Sequence, residues 1–236
     1  IKDIRTMTEN RIQDHLKPQS IVIKAVWEQA LPCGTRHWSQ MLDSMPRSIY
    51  NFAVRYLGNC LPNRSNSCKW GTSTSAICNF CPNLQTLGHI VGGCKAALEE
   101  GRYNWRHDSI LLSLSRALAT IPSVSIYSDI KEGNEFLSPE VISGEKQRPD
   151  LIAVKGNRIF ICELSVGLET NLIRNATRKK EKYQQLVNSL TNAEEKYYLN
   201  LSMGGIGVIG KDCSNIGKWL QEIGLSDAEA SRKKKK

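Results

Sequence analysis

Residues 150–166 have the sequence DLIAVKGNRIFICELSV, in which two β-rich runs flank the tripeptide Lys155-Gly156-Asn157. Apolar and β-branched side chains dominate both runs, and a Gly-Asn pair between two such runs is typical of a tight turn. We therefore predict two strands, over residues 150–154 and 158–166, joined as a β-hairpin.

Two carboxylates belong to this hairpin. Asp150 opens the first strand after Arg148-Pro149, and Glu163 lies on the second strand within an apolar run. An ionised carboxylate in a half-buried strand costs several kcal/mol unless it is paired or binds a metal. Because the hairpin can bring both groups near one point, the sequence predicts a hard oxygen site of the kind that Mg²⁺ prefers. The alternative is an Asp that opens a turn and a Glu at the surface.

The segment after the hairpin predicts a long helix over residues 168–192. Its stripe of inward positions advances by alternating steps of four and three: Leu172, Ala176, Lys179, Tyr183, Leu186 and Leu190. Lys179 is the single charged residue of the stripe. We predict that it faces the two carboxylates and orients the attacking water or stabilises charge on a scissile phosphate. The alternative is a lysine that extends its ammonium to water from the edge of the stripe.

An earlier amphipathic helix is predicted over residues 105–120, ended by Pro122 and followed by a short strand over 124–127. Asp108 lies near its start, where it either caps the first turn or acts as a third acid beside the metal. His107 is predicted to be a core or interface histidine. A strand over 197–201 and a helix over 216–223 complete the predicted order, which is mixed α/β.

Upstream of these elements, Cys78, Cys81, His89 and Cys94 form the pattern C-x2-C-x7-H-x4-C. Three thiolates and an imidazole are a tetrahedral ligand set for Zn²⁺. The pattern is typical of a zinc knuckle, a module often used to bind single-stranded nucleic acid. The alternative is a zinc site that only stabilises the fold, and the two roles are compatible.

Composition restricts the class of protein. The chain has 236 residues and 40% hydrophobic content, enough for a real core. It contains no apolar run long enough for a membrane span, and its charged first twenty residues exclude a secretory signal. We therefore expect an intracellular protein without membrane partners, whose remaining cysteines, Cys33, Cys60, Cys68, Cys162 and Cys213, are reduced thiols.

The net charge is +9, of which residues 232–236 carry five, so the rest of the chain is only mildly basic. The basic tail is a nuclear address, a phosphate-binding tail or a solvated end. The chain begins with Ile1, and we expect it to be a segment or remnant of a longer protein. No Ser-His-Asp or Cys-His arrangement, phosphate-binding glycine loop or Asp-Asp dipeptide is present, which argues against hydrolase triads, nucleotide-driven motors and a polymerase.

Several motifs occur together in one order. They are Leu61-Pro62-Asn63-Arg64, Lys69-Trp70-Gly71, Leu87-Gly88-His89, residues 101–108 (GRYNWRHD), Arg148-Pro149-Asp150, residues 163–171 (ELSVGLETN), residues 178–183 (RKKEKY) and Asn200-Leu201-Ser202. The strand that begins with Pro-Asp, followed by a strand that carries Glu, resembles the PD-(D/E)xK nuclease core. With the upstream knuckle, the chain resembles the C-terminal region of non-long-terminal-repeat retrotransposon proteins that carry a restriction-like endonuclease.

The resemblance implies a metal-dependent endonuclease that nicks target DNA so that a reverse transcriptase can prime synthesis from the exposed 3′ hydroxyl. Asp150 and Glu163 would bind Mg²⁺ or Mn²⁺, with Asp108 as a further candidate acid. Ser165 stands where the nuclease lysine is usual, and in the retrotransposon branch a lysine four residues before a tyrosine replaces it. Lys179 fits that place, and Lys182 is the second candidate. Glu169 also matches the branch pattern.

The same resemblance divides the chain into a helical linker (1–70), a CCHC zinc knuckle (71–100), a restriction-like endonuclease domain (101–225) and a basic tail (226–236). Helices are predicted over residues 19–58, and the polar stretch 63–75 is predicted to be a loop. Expected partners are target DNA, element RNA and the reverse transcriptase domain of the same polyprotein, in the nucleus. The candidate nucleic-acid contacts are Arg106, Arg148, Arg178 and Lys182. The alternative function is a catalytically inactive nucleic-acid-binding module with a zinc knuckle.

Overall fold

The computed structural model of the chain describes residues 2–31, 45–130, 135–144, 148–189 and 195–225. The predicted basic tail, Cys33 and Leu190 lie outside these residues. The described chain is mixed α/β, with a four-stranded mixed sheet, flanking helices and a Cys/His cluster. It forms two compact units. The first comprises Ile1–Arg102, Gly167–Leu172 and Met203–Lys211, and the second comprises Tyr103–Val166, Ile173–Ser202 and Asp212–Lys236.

The first unit is mainly helical. Its helices are α1 (Lys2–Leu16), α2 (Ile21–Gln29), α3 (Arg47–Leu57), α4 (Arg64–Lys69) and α5 (Lys95–Glu99), with a π-helical turn at His89–Gly93. The helices predicted over residues 19–58 are confirmed by α2 and α3, although residues 32–44 lie outside the description.

Helix α4 shows that the loop predicted over residues 63–75 is wrong in part. The side chain of Asn63 caps α4 by accepting a 2.9 Å hydrogen bond from the main-chain N–H of Asn66. The side-chain amide of Asn66 in turn donates to the main-chain oxygens of Asn59 and Leu61, at 2.8 and 2.9 Å. Polar side chains that suggested a loop therefore hold a short helix.

The core of the first unit forms around Tyr56. Its buried ring packs with Val22, Leu87 and Val91, and a second buried cluster contains Ala30, Leu172 and Val208. The Ser20 hydroxyl caps α2 by accepting from Val22 N at 3.2 Å, because serine satisfies the free amides of a first helical turn.

The sheet contains β1 (Ser125–Ser128), β2 (Leu151–Lys155), β3 (Arg158–Gly167) and β4 (Glu195–Gly204), in the order β1-β2-β3-β4. Strand β2 pairs antiparallel with both β1 and β3. The predicted hairpin is confirmed, with Leu151 opposite Cys162 and Lys155 opposite Arg158. Gly156 in the turn has φ of +56°, a conformation that favours glycine.

The remaining helices are α6 (Arg102–Ala119), α7 (Glu140–Ser143), α8 (Leu172–Ser189) and α9 (Ile216–Ile223). Helix α6 begins three residues earlier than predicted, so Asp108 lies well inside it and the predicted capping role for Asp108 is wrong. On α8, Ala176, Tyr183 and Leu186 are buried in the second unit, as the stripe predicted. No helix among the described residues has the length and apolar character needed to cross a bilayer.

Candidate metal centre and candidate active site

The four predicted knuckle residues converge in the first unit. The ligand atoms of Cys78, Cys81, His89 and Cys94 all lie within 4.8 Å of one another, and His89 Nε2 is 3.3 Å from Cys81 Sγ. Three thiols and one imidazole at such distances can hold a tetrahedral metal ion, and the donor set is consistent with zinc.

Local chain geometry brings these ligands together. Cys78 N donates to Asn83 O at 2.8 Å, and Gln85 N donates to Ala76 O at 2.9 Å, which closes a tight turn around the C-x2-C pair. The π-helical turn His89–Gly93 then returns His89 and Cys94 to that turn. The His89 amide is fixed by the hydroxyl of Thr86 at 3.2 Å.

The thiol of Cys78 is already polarised toward metal binding. A main-chain hydrogen bond from Phe80 is the largest influence that lowers the pKa of Cys78, to about 6. The amide of Gln85 also lies 3.7 Å from Cys78 Sγ, while that of Asn83 lies 3.7 Å from Cys81 Sγ. Since thiolate is the form that binds metal, Cys78 is prepared as a ligand at neutral pH. The other described cysteines, Cys60, Cys68, Cys162 and Cys213, form no disulfide bond among the described residues.

A second polar cluster lies in the second unit and contains the predicted acids and lysine. Lys179 Nζ lies 2.9 Å from Asp150 Oδ2 and 2.7 Å from Glu163 Oε2. Glu163 is fully buried, and the side chain of Lys179 is 18% exposed. The structure thus brings together all three residues of the predicted carboxylate and lysine site.

The hairpin fixes the two carboxylates. Because Leu151 pairs with Cys162, the next position along the ladder places Asp150 beside Glu163. Glu163 Oε1 accepts a hydrogen bond from Asp150 N at 3.1 Å, and Asp150 Oδ2 accepts one from Leu164 N at 2.7 Å. Each acid thus accepts a main-chain hydrogen bond, Glu163 from the N–H of Asp150 and Asp150 from the N–H next to Glu163.

The charges of this cluster depend on one another. Burial raises the pKa of Asp150, but the hydrogen bond from His107 and the charge of Lys179 outweigh burial and lower it to about 2. Burial and the nearby charge of Asp150 raise the pKa of Glu163 to about 8. Burial opposes the charge of Lys179, yet the two carboxylates raise its pKa above the usual lysine range. Lys179 is thus the cation between the two acids, and Glu163 holds its proton more tightly than an ordinary glutamate.

His107 is a member of the cluster that the sequence interpretation did not place there. Its Nε2 lies 3.4 Å from Asp150 Oδ2 and 3.3 Å from Leu164 O, and its Nδ1 lies 2.9 Å from Asp108 Oδ1. Burial disfavours its charged form, but Asp150 and then Asp108 raise the pKa of His107 to about 9. The adjacent His107-Asp108 pair was the one available sequence signal.

Asp108 contacts the cluster through that ring. Among the described residues, the Cys/His cluster is the one group of three or more His, Cys, Asp or Glu side chains that is arranged to hold a metal ion. The structure therefore does not bring Asp108 into ligand range together with both Asp150 and Glu163.

Tyr183 lies beside two of the predicted nucleic-acid contacts, Lys182 and Arg148. Tyr183 Oη donates to Arg148 O at 2.7 Å, and Lys182 Nζ lies 2.9 Å from the same phenol oxygen. Lys179, and not Lys182, contacts the carboxylates. Arg148 pairs with Asp129 at 2.5 Å and with Glu140 at 3.2 Å.

Arg106 and Arg178 differ in their surroundings. Arg106 donates to Val166 O at 3.3 Å and lies 5.5 Å from the Tyr103 ring centre, so it is already engaged within the second unit. Arg178 is exposed on α8, as are Arg174 and Lys182, at intervals of four residues. These three side chains form one basic ridge along α8.

No protein-family model matches this chain, and no curated protein matches it at a significant level. The resemblance to retrotransposon endonucleases therefore rests on the motifs themselves and on the geometry of the residues that carry them.

Proposed function

We propose that this chain is a metal-dependent DNA endonuclease with a PD-(D/E)xK core, which nicks target DNA for target-primed reverse transcription as part of a retrotransposon protein. The observation that carries the proposal is the convergence of Lys179 Nζ on Asp150 Oδ2 at 2.9 Å and on Glu163 Oε2 at 2.7 Å. Two carboxylates and a lysine at one point are the groups that phosphodiester hydrolysis requires.

The donor set suits Mg²⁺ or Mn²⁺. Both acids offer hard oxygens, and Asp150 Oδ1 is the carboxylate oxygen that the hydrogen bonds among the described residues leave for a metal. A metal ion that binds Glu163 would have to displace the proton that burial and the charge of Asp150 favour on this carboxyl group. When bound, the ion would activate water and neutralise charge on the phosphate.

The residues of the chain supply orientation and charge. Lys179 neutralises the negative charge that develops on the phosphate, or orients the attacking water beside the carboxylates. His107 Nε2 and Leu164 N both contact Oδ2 of Asp150, and Asp108 orients the His107 ring. Tyr183 holds the carbonyl of Arg148, immediately before Pro149-Asp150.

DNA contact is assigned chiefly to the ridge of Arg174, Arg178 and Lys182 on α8, the helix that also carries Lys179. Phosphate contacts by exposed cations supply sequence-independent affinity. Arg106 and Arg148 have partners within the second unit, so their contribution to DNA binding would require exchange of those partners. Element RNA, a reverse transcriptase domain and a nuclear location belong to the same proposal, as does a structural zinc ion in the knuckle.

The test is nicking of supercoiled plasmid by the full chain with Mg²⁺ or Mn²⁺. Asp150→Asn should abolish nicking because it removes the carboxylate charge, while an amide oxygen can still accept from Leu164 N. The matched control is Asp212→Asn, an exposed acid of the same unit, which should nick at the unmodified rate. Equal rates for the two variants would exclude the assigned site.

The second candidate is an inactive nucleic-acid-binding module. It is favoured by one observation, that the Lys179 ammonium already occupies the position between both carboxyl groups, at 2.9 and 2.7 Å. If the unmodified chain binds DNA but never nicks it with either metal ion, this second function is the correct one.

A further inference from the structure

Phe80 is the residue of the Cys/His cluster that its metal-binding role does not explain. Its ring stands between Cys78 and Cys81 in the sequence and is 58% exposed. The guanidinium carbon of Arg102 lies 5.3 Å from the centre of the ring. The ring is therefore held at the surface by a cation and is not buried in a core.

The stretch of sequence that contains Phe80 carries formal charges of one sign only. Residues 44–98 contain Arg47, Arg55, Arg64, Lys69 and Lys95 but no Asp or Glu. The nearest acids in sequence are Glu99 and Glu100, and Glu100 pairs with Arg102 at 2.5 Å. Both partners of that pair are about half exposed, so the pair is weak and leaves the guanidinium available to a phosphate.

We propose that Phe80 and Arg102 form a stacking site for one unpaired base of a single-stranded nucleic acid. The base lies against the open face of the Phe80 ring, and Arg102 contacts the adjoining phosphate. Aromatic faces stack on any base, and a nearby guanidinium adds attraction, so such a site is tolerant of sequence and selective for unpaired strands. The absence of acids from residues 44–98 favours a polyanion over an apolar protein partner.

The Cys/His cluster fixes the backbone at Phe80, which suits a side chain that has to present its ring to a base. The main-chain N–H of Phe80 contributes a hydrogen bond to Cys78, so the metal-binding turn fixes the backbone from which the ring projects. Because this bond uses the main chain, substitution of the side chain leaves it intact. The inference rests on the nucleic-acid partner of the proposed function, but not on nuclease activity.

The experiment measures fluorescence anisotropy of labelled strands with the zinc-loaded full chain and without Mg²⁺. The probes are a thymidine dodecamer and an abasic strand of the same length, which has phosphates but no bases. The unmodified chain should bind the thymidine strand at least about fivefold more tightly than the abasic strand. Phe80→Leu should lose this preference, and Phe80→Trp should keep it.

Leu98→Ala is the matched control, because Leu98 is 57% exposed in the same unit and is apolar without an aromatic face. It should retain the preference, and zinc content should be unchanged in every variant. A second readout uses the unmodified chain, which should photo-cross-link to a 5-iodouracil strand at Phe80. Equal binding of the two strands by the unmodified chain, or cross-links confined to other residues, would overturn the proposal. If the unmodified chain prefers the thymidine strand but never nicks plasmid, the stacking site is supported and only the proposed nuclease activity is excluded.

Discussion

The ammonium of Lys179 lies 2.7 Å from Oε2 of Glu163, which is fully buried on the central part of β3. Each residue stabilises the burial of the other, because burying a charged group without a partner costs free energy. Asp150 accepts from the same ammonium at 2.9 Å, so one lysine serves two acids.

Lys179→Met should lower the free energy of unfolding by about 1–3 kcal/mol, because Asp150 and Glu163 lose the hydrogen-bond donor that they share in a buried site. Urea unfolding of the full chain in metal-free buffer measures this loss. The control is Lys182→Met, an exposed residue whose ammonium contacts Tyr183 instead of the carboxylates, and it should change stability by less than about 0.5 kcal/mol. Comparable losses in both variants would show that Lys179 does not neutralise the buried acids.

The tether between Tyr183 and Arg148 gives a second prediction. Tyr183→Phe removes the 2.7 Å hydrogen bond to Arg148 O and should lower unfolding free energy by about 0.5–1.5 kcal/mol. Plasmid nicking should fall as well, because the bond anchors the residues immediately before Asp150. Tyr197→Phe is the control, since that hydroxyl pairs with the exposed Glu195 at 2.7 Å, and it should leave nicking unchanged. A Tyr183→Phe chain that nicks at the unmodified rate would remove Tyr183 from the positioning of Asp150.

Much of the carboxylate and lysine cluster could be predicted because it depends on short-range regularities. A tight turn sets the hairpin register, and the register brings Asp150 beside Glu163. The helical period then puts Lys179 on the inward stripe of α8. Both steps use local geometry that the order of residues specifies.

The role of His107 could not be predicted in this way. Its contact with Leu164 O joins residues 57 positions apart, which no periodic pattern encodes. The same applies to Glu169, which matched a motif without a physical reason. In the structure it is fully buried in the first unit and accepts from Tyr56 Oη at 2.7 Å.

Helix α4 illustrates a different failure. Residues 63–75 are rich in Asn, Ser and Gly, which favour loops as well as helix caps. The helix forms because Asn63 caps it and Asn66 binds two main-chain oxygens of the preceding turn. The choice between loop and helix thus depended on contacts that composition does not reveal.

The Cys/His cluster predicts a dependence of stability on zinc. Cys94→Ser should reduce bound zinc below one equivalent and lower the melting temperature, because metal binding contributes folding free energy. Metal analysis and thermal unfolding of the full chain measure the two effects. Cys68→Ser, which alters a free thiol outside the cluster, should retain zinc and melt normally. A Cys94→Ser chain with full zinc content would exclude Cys94 as a ligand.

The buried carboxyl group of Glu169, in the first unit, should make the free energy of unfolding depend on pH. Burial raises the pKa of Glu169 above its ordinary value of 4.5, against hydrogen bonds from Tyr56 and main-chain amides. Below that value both folded and unfolded chains hold the proton. As pH rises through and above it, the unfolded chain releases the proton first, so unfolding becomes easier.

Glu169→Gln cannot ionise, so its unfolding free energy should lack this contribution. The unmodified chain should therefore lose stability relative to Glu169→Gln as pH increases from about 4 to 7, a direction that follows from proton linkage. Urea unfolding of both chains across this range measures the difference, in which the titration of shared groups cancels. A difference that stays constant with pH, or that grows in favour of the unmodified chain, would show that Glu169 remains ionised in the folded protein.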